Sequence, residues 1–253
     1  MSEKIKAIDT HTHLNHGSKW DSSNEGNCYT AMLEGLLKIN QAADIGMMFA
    51  STFSSVLNVE EIEQENEYMF RLANEVECLY QWVVIDPRND ATFAQARCML
   101  NTEKCVGIKL HPIYHQYEIE QYRDKLFDFA SEHKAIVQIH PERDADYILP
   151  IANAYPDVTF IMAHLGNEAW VNAIKCSKHN NVYADTSGSA STQNMVIEYA
   201  VNRVGSERIL FGTDTYAAGF QRGRIEYALI SEQDKENILR RNAEKLFKLK
   251  NKI

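Results

Sequence analysis

Residues 158–164 read Val-Thr-Phe-Ile-Met-Ala-His, an almost wholly apolar run that ends in a histidine. A strand with apolar side chains at consecutive positions is buried on both faces, which is typical of a parallel strand between an inner core and an outer layer of helices. The run Trp82-Val83-Val84-Ile85 has the same character. Each segment therefore predicts a parallel strand, and the first places a histidine at the strand's carboxyl end.

Short apolar runs of this kind recur along the whole chain, and longer segments with helical spacing of apolar residues lie between them. The length of 253 residues is near the roughly 250 that a barrel of eight strand-helix units needs. We therefore predict an α/β fold, a (β/α)8 TIM barrel, as a single domain over residues 1–253. The predicted strands are Ile5–Asp9, Ile45–Ser51, Leu79–Ile85, Val106–Leu110, Ala135–Ile139, Val158–Ala163, Val182–Asp185 and Ile209–Phe211, and the clearest helices are Glu60–Val76, Tyr122–His133 and Ser231–Leu249.

The overall charge narrows the class of partner. A formal net charge of -9 disfavours nucleic acid and anionic membrane surfaces, because both bind clustered lysine and arginine. A small-molecule substrate fits better. The first residues contain no apolar signal core, and five cysteines without a Cys-x-x-Cys pair indicate reduced thiols, so we expect a cytoplasmic protein. The cysteines are Cys28, Cys78, Cys98, Cys105 and Cys176.

Two histidines lie two residues apart in Asp9-Thr10-His11-Thr12-His13, at the end of the first predicted strand. In an extended chain residues i and i+2 point to the same side, so both imidazoles can reach one metal ion. Alone, such a pair is at least as compatible with two histidines in a surface loop as with a metal site.

Three later strands supply side chains that match this pair. His140 follows strand five, His164 follows strand six, and Asp214 follows strand eight within Phe211-Gly212-Thr213-Asp214. The carboxyl ends of all barrel strands converge on one rim, where active sites of this fold are built. The sequence therefore predicts a metal site at that rim.

The chain resembles the amidohydrolase superfamily, and more narrowly its amidohydrolase-related (amidohydrolase 2) branch of metal-dependent hydrolases and decarboxylases. The resemblance spans nearly the whole chain, and its motifs lie at strand ends one, four, five, six, seven and eight. The matching segments are Asp9 to His13, Gly107-Ile108-Lys109-Leu110-His111-Pro112, Ile139-His140, Ala163-His164-Leu165-Gly166, Asn181 to Ser187, Leu210 to Asp214 and Asn242 to Phe247.

The resemblance implies a site for one divalent metal ion. Its ligands would be His11, His13, His140 and Asp214, with His164 as a catalytic or supporting imidazole. Imidazole and carboxylate ligands suit zinc, which we favour, although manganese, iron or cobalt would accept much the same set. A bound divalent ion lowers the pKa of its water to about 7, so a metal-bound hydroxide is available and Asp214 can take the proton.

Lys109 has two interpretations. In some branches of the superfamily a carboxylated lysine bridges two metal ions; the interpretation we favour is an ammonium that pairs with a carboxylate or with the substrate. We also place His111, Arg143 and Tyr216 among the substrate-binding residues, and Arg143 and Lys109 favour an anionic substrate. The loop from Asn15 to Asn27 is either a lid or a solvated connection.

These residues predict a metal-dependent hydrolase that cleaves a C-N or C-O bond of an amide, lactone or ester. A metal-dependent decarboxylase of an aromatic or unsaturated acid is the alternative, since the same ligands serve both reactions. A non-catalytic metal-binding barrel is a second alternative, which the extra imidazole of His164 disfavours. The sequence leaves the oligomeric state open, and a homodimer is compatible with it.

Overall fold

The computed structural model describes residues 5–15, 32–141, 144–188, 192–215 and 217–249. Eight parallel strands follow one another around a single sheet in chain order. Backbone hydrogen bonds then join the two ends of the sheet, from Thr10 N to the Phe211 carbonyl at 2.9 Å and from Thr213 N to the His11 carbonyl at 3.0 Å. This confirms the (β/α)8 barrel. The strands are β1 Ala7–Leu14, β2 Ile45–Thr52, β3 Leu79–Val84, β4 Cys105–Leu110, β5 Ile136–Ile139, β6 Thr159–Met162, β7 Val182–Asp185 and β8 Ile209–Leu210.

Helices lie between the strands and after the last one, and the three predicted helices are all present. The carboxyl-terminal one contains a π-helical segment at Asn237–Arg241. The α-helices in the described part are α1 Leu33–Ala42, α2 Phe53–Leu57, α3 Ile62–Glu75, α4 Asp90–Met99, α5 Pro112–His115, α6 Arg123–Glu132, α7 Ile148–Ala154, α8 Glu168–Cys176, α9 Val196–Val204, α10 Ala218–Glu226, α11 Glu232–Glu236 and α12 Asn242–Leu246, with 3-10 turns at Val59–Glu61, Ile119–Tyr122 and Ala145–Tyr147.

Both faces of the strands are buried, as the consecutive apolar residues predict. In β6, Phe160 and Met162 pack in the cluster beneath the outer helices, whereas Ile161 packs in the cluster inside the barrel. The aromatic ring of Phe247, just after α12, lies 4.7 Å from that of Phe49. The last helix therefore docks on the barrel, and Phe247 packs with its inner cluster.

The first strand differs from its predicted bounds. It was expected at Ile5–Asp9 with the histidine pair at its end, but it runs from Ala7 to Leu14 and contains both histidines. Its pairing with β2 is irregular: two residues lie between Asp9 and Thr12, whereas one lies between their partners Met48 and Ala50. Such a bulge turns side chains to new directions and is common beside active sites. Pairing with β2 on one side and hydrogen bonds to the segment after β8 on the other keep this stretch extended.

Four cysteines fall within the described residues and all are free thiols, namely Cys78, Cys98, Cys105 and Cys176. None of the described helices combines the length and apolar character that a membrane span requires.

Candidate metal centre

Three of the predicted ligands lie together at the carboxyl-terminal rim of the barrel. Nε2 of His11 lies 3.3 Å from Nε2 of His13. Oδ1 of Asp214 lies 3.5 Å from the His11 nitrogen and 3.3 Å from the His13 nitrogen. Ligand atoms about 2.1 Å from a tetrahedral ion lie about 3.4 Å from one another. The three atoms therefore have the spacing of ligands to one divalent metal ion.

The backbone holds these side chains from two neighbouring strands. His11 and His13 project to the same side of β1, while Asp214 follows β8 in a left-handed conformation with φ of 54°. The Asp214 N–H donates to the His11 carbonyl over 2.7 Å. Asp9 anchors the preceding residue, because it accepts from the Thr213 hydroxyl at 2.6 Å and from the Thr213 N–H at 3.0 Å. Burial raises the pKa of Asp9 to about 8.

Lys109 is fully buried beside these ligands. Its Nζ lies 2.7 Å from Nε2 of His11 and donates to Oε1 of Gln138 over 3.1 Å. Among the described residues, no carboxylate lies at ion-pair distance from this ammonium. The ion pair with a carboxylate of the chain, one of the partners predicted for Lys109, is therefore not found among these residues. Burial lowers the pKa of Lys109 to about 8. A metal ion would compete with Lys109 for the lone pair of His11.

Asp185 orients His11 from the opposite side. Its Oδ2 lies 2.9 Å from Nδ1 of His11, so that ring donates through Nδ1 and turns Nε2 toward the ligand cluster. Buried Asp185 would titrate high, but the neighbouring His11 holds its pKa well below the usual range. Sequence reasoning assigned Asp185 no role, although a carboxylate that ends an apolar strand is the signal that led to Asp214. Such a partner of a ligating histidine fixes the ring orientation.

A second group of potential ligands consists of His11, His164 and Asp185. This group surrounds the hydroxyl of Ser187, which lies 3.0 Å from Nδ1 of His11 and 2.9 Å from Nδ1 of His164. Since the serine oxygen occupies the space between them, we interpret this group as a hydrogen-bond network rather than a metal site.

His164, which the sequence predicts to be a catalytic or supporting imidazole, lies beside the ligand cluster. Its ring stacks on that of His11 at 5.1 Å between centroids, and its Nε2 lies 3.8 Å from Oδ2 of Asp214. The residue has a left-handed φ of 61°, which only a small share of non-glycine residues adopt.

His140 stands apart from the other three predicted ligands, since none of the close ligand groups in the described residues includes it. Its ring lies 4.9 Å from that of His164 and stacks on that of His111 at 4.3 Å. Its Nδ1 lies 3.1 Å from the Pro141 carbonyl and donates to it, which leaves Nε2 as the free lone pair. Burial lowers the pKa of His140 to about 3. Its role as a ligand stays a prediction.

His111 is a predicted substrate-binding residue, and a backbone contact fixes which of its ring nitrogens carries the proton. Its Nδ1 accepts from the N–H of Tyr114 at the start of α5 over 3.4 Å, so the ring proton lies on Nε2. Burial keeps the pKa of His111 well below its usual value, and the ring remains a neutral donor. Its stacking on His140 places it at the same rim.

The remaining predicted substrate-binding residues, Arg143 and Tyr216, lie outside the described residues. So does the predicted lid, apart from Asn15.

The family comparison covers nearly the whole chain: the amidohydrolase family model matches residues 8–249. No curated protein matches the sequence. The solved structures that resemble this chain share its fold at low sequence identity. A 2,6-dihydroxybenzoate decarboxylase from Rhizobium has a TM-score of 0.74 at 17% identity, with 97% of this chain and 99% of that chain covered.

Two further structures are similar to the same extent. A dihydroxybenzoic acid decarboxylase from Polaromonas, with bound manganese and the inhibitor 2-nitroresorcinol, has a TM-score of 0.75 at 16% identity, covering 97% of this chain and 98% of that chain. A 5-carboxyvanillate decarboxylase from Sphingomonas paucimobilis has a TM-score of 0.74 at 13% identity, covering 97% and 99%. The family match, the eight-stranded barrel and the cluster at its rim agree with the resemblance in the sequence, and the chain belongs to the amidohydrolase family.

Proposed function

We propose that the chain is a metal-dependent decarboxylase of a small aromatic or unsaturated carboxylic acid. The observation that carries this proposal is the buried ammonium of Lys109, whose hydrogen-bond partners His11 and Gln138 are both uncharged side chains at neutral pH. Burial of a cation is costly, and no carboxylate of the described residues lies at ion-pair distance from this ammonium, although Asp214 and Asp185 are near enough to raise its pKa. The position therefore favours an anionic ligand.

The charge of the whole site supports the same class of substrate. His11, His13 and His140 have pKa values lowered by burial and are neutral at pH 7. Leaving His164 aside, a divalent ion and Lys109 would bring three positive charges against the two negative charges of Asp185 and Asp214. One positive charge is left over, which a monoanionic carboxylate would neutralise.

Three side chains of the site would each have a task in this reaction. Lys109 and the Nε2–H of His111 would bind the anionic oxygens of the substrate. Loss of carbon dioxide leaves an electron pair on carbon, and the reaction takes up one proton from solvent. Nε2 of His164, beside Asp214, would pass that proton to the carbon. When bound, a divalent metal ion would supply a Lewis acid that stabilises negative charge on the substrate oxygens.

The similar solved structures support this choice over hydrolysis. The three described above are decarboxylases of aromatic acids, and one of them contains manganese. We therefore propose manganese or zinc as the metal ion of this chain, a wider choice than the zinc favoured by the ligand types.

Hydrolysis of a C-N or C-O bond is the second candidate, and Asp214 favours it. Although burial opposes it, contact with the His13 imidazole and the other site histidines keeps the Asp214 pKa well below the usual range, so the carboxylate is ionised. An ionised carboxylate beside the ligand nitrogens can accept a proton from an attacking water.

A labelled-substrate assay separates the two candidates. The protein loaded with zinc or manganese would be incubated with hydroxybenzoates carrying 13C in the carboxyl group, and separately with lactones and amides. Release of 13C-labelled carbon dioxide supports decarboxylation; a new carboxylic acid from a lactone or amide supports hydrolysis instead. His11→Ala, which removes a predicted ligand, is the control and should be inactive in both assays. Full activity of this variant would contradict the site.

A further inference from the structure

Four side chains beneath the ligand cluster share one hydrogen-bond network: His11, His164, Asp185 and Ser187. His11, Asp185 and Ser187 have no exposed surface, and His164 is 9% exposed. Solvent has little access to these groups, so the contacts among them and with the backbone constrain where their protons lie.

The donors and acceptors in this network can be assigned from chemistry alone. Asp185 is a carboxylate and can only accept, and its Oδ1 is in close contact with the Ser187 hydroxyl, so the single hydroxyl proton of Ser187 goes to Asp185. Ser187 Oγ is then an acceptor toward Nδ1 of His164 at 2.9 Å. The backbone carbonyl of Ser187, which also only accepts, lies 3.3 Å from the same nitrogen.

Nδ1 of His164 thus faces two acceptors and must carry the ring proton. Nδ1 of His11 is in the same position, because it faces Asp185 Oδ2 at 2.9 Å and Ser187 Oγ at 3.0 Å. The reverse arrangement, with Ser187 donating to His164, would leave two lone pairs opposed across the short contact with Asp185. Among the contacts of the described residues, this assignment of protons is the one that gives every close pair a donor and an acceptor.

We propose that Asp185 and Ser187 are positioning residues that hold the proton of both His11 and His164 on Nδ1, so that both Nε2 atoms face the metal and substrate side. For His11 this leaves a lone pair for the predicted metal ion. For His164 it leaves Nε2 as the nitrogen that faces the substrate side, 3.8 Å from Oδ2 of Asp214. The effect on turnover rests on the proposed function, whereas the proton positions do not.

The proton positions can be measured by long-range 1H–15N NMR of histidine side chains in protein labelled with 15N-histidine, both loaded with diamagnetic zinc and metal-free. A His164→Gln variant assigns the signals of that ring. Ser187→Ala tests the proposal, and Ser51→Ala is its matched control, because the Ser51 hydroxyl lies 2.9 Å from Nδ1 of a different histidine, His13.

The expected result is a proton-bearing Nδ1 on His164 in the wild type and a changed proton distribution in Ser187→Ala, with Ser51→Ala perturbing only His13. In the assays above, Ser187→Ala should lower kcat by about 10- to 100-fold with little change in KM. Metal content should stay close to that of the wild type, because Asp185 still contacts Nδ1 of His11. A wild-type His164 that carries its proton on Nε2, or a Ser187→Ala spectrum with an unaltered His164, would overturn the proposal. If the NMR result is as expected but no substrate is turned over, the proposed function is contradicted and the proposed proton positions stand.

Discussion

Nζ of Lys109 lies 2.7 Å from Nε2 of His11, and both side chains are fully buried. An ammonium thus lies against a nitrogen that the ligand spacing assigns to a metal ion. The contact separates the two interpretations of Lys109: a cation that opposes the metal ion, or a carboxylated ligand that helps to bind it.

Replacement of Lys109 by methionine should strengthen metal binding and abolish turnover. Removal of a positive charge so close to a divalent ion lowers electrostatic repulsion, and at a protein-like effective dielectric constant this amounts to about ten-fold or more in affinity. Turnover is lost because the substrate carboxylate loses its partner. Metal affinity would be measured by competition with a chelator, and Lys104→Met, just before the other end of β4, should behave as wild type. Loss of metal from Lys109→Met would instead favour the carboxylated, bridging lysine.

Replacement of Asp185 by asparagine should weaken metal binding. The amide can donate to Nδ1 of His11 and so move the ring proton to Nε2, and loss of such a partner of a ligand typically costs 10- to 100-fold in metal affinity. The same competition with a chelator measures the change in metal affinity. Asp86→Asn is a matched control, because Asp86 follows β3 at the same rim but pairs with Arg88 at 2.7 Å. Equal affinities for the two variants would show that Asp185 does not orient the ligand.

The fold can be predicted from the sequence because the pattern of a buried parallel strand is repeated along the chain. A parallel strand buried on both faces needs apolar residues at consecutive positions, and Ile161 and Val83 occupy opposite sides of such strands. The convergence of strand ends then brings His11, His13 and Asp214 together without any knowledge of distances. The barrel and the meeting of these three side chains therefore follow from the apolar pattern of the strands and the topology of the barrel.

The hydrogen-bond network is less visible in the sequence. The contacts of Asp185 and Ser187 with His11 reach from β7 to β1 across β8, so they depend on the registers of both intervening pairings. The bulge within β1 adds a further change in side-chain direction. Gln138 contacts Lys109 only because neighbouring barrel strands align their inward side chains. The position of His140 beside His164, rather than among the close ligand groups, depends on the chain direction after β5, which no motif specifies.

The metal-free protein should lose stability as pH falls from 6.5 toward 4. Burial lowers the folded-state pKa of His140 to about 3 and of His11 to about 4, so in this window the unfolded chain binds protons at these two groups that the folded chain does not. Together they outweigh Asp9, whose raised pKa of about 8 acts in the opposite direction. Each such group contributes up to about 1.4 kcal/mol per pH unit. Asp185 and Asp214, whose pKa values are depressed, add their loss of stability below this window.

Urea unfolding with a chelator at pH 7, 5.5 and 4.5 would measure this dependence. His140→Asn should show a shallower loss of stability than the wild type, because one group no longer titrates differently in the two states. The exposed His179 is the control position, and His179→Asn should keep the wild-type slope. Parallel slopes for the wild type and His140→Asn would contradict the burial of a neutral imidazole at this position.

Gly188→Ala should impair the site more than the fold. Gly188 has a φ of +71°, and an added Cβ would lie 2.6 Å from Nδ1 of His164 and 3.2 Å from Oδ2 of Asp214. Either the loop or the imidazole has to move, so we expect at least a ten-fold loss of kcat, with about 1 kcal/mol or more of stability lost to the left-handed backbone. Gly219→Ala is the control, since a Cβ there meets nothing within 4 Å and alanine favours the helix α10. Activity and urea unfolding would be compared for both variants. If Gly188→Ala kept full activity, His164 would have room to shift without effect, and the close packing around its Nδ1 would have no catalytic importance.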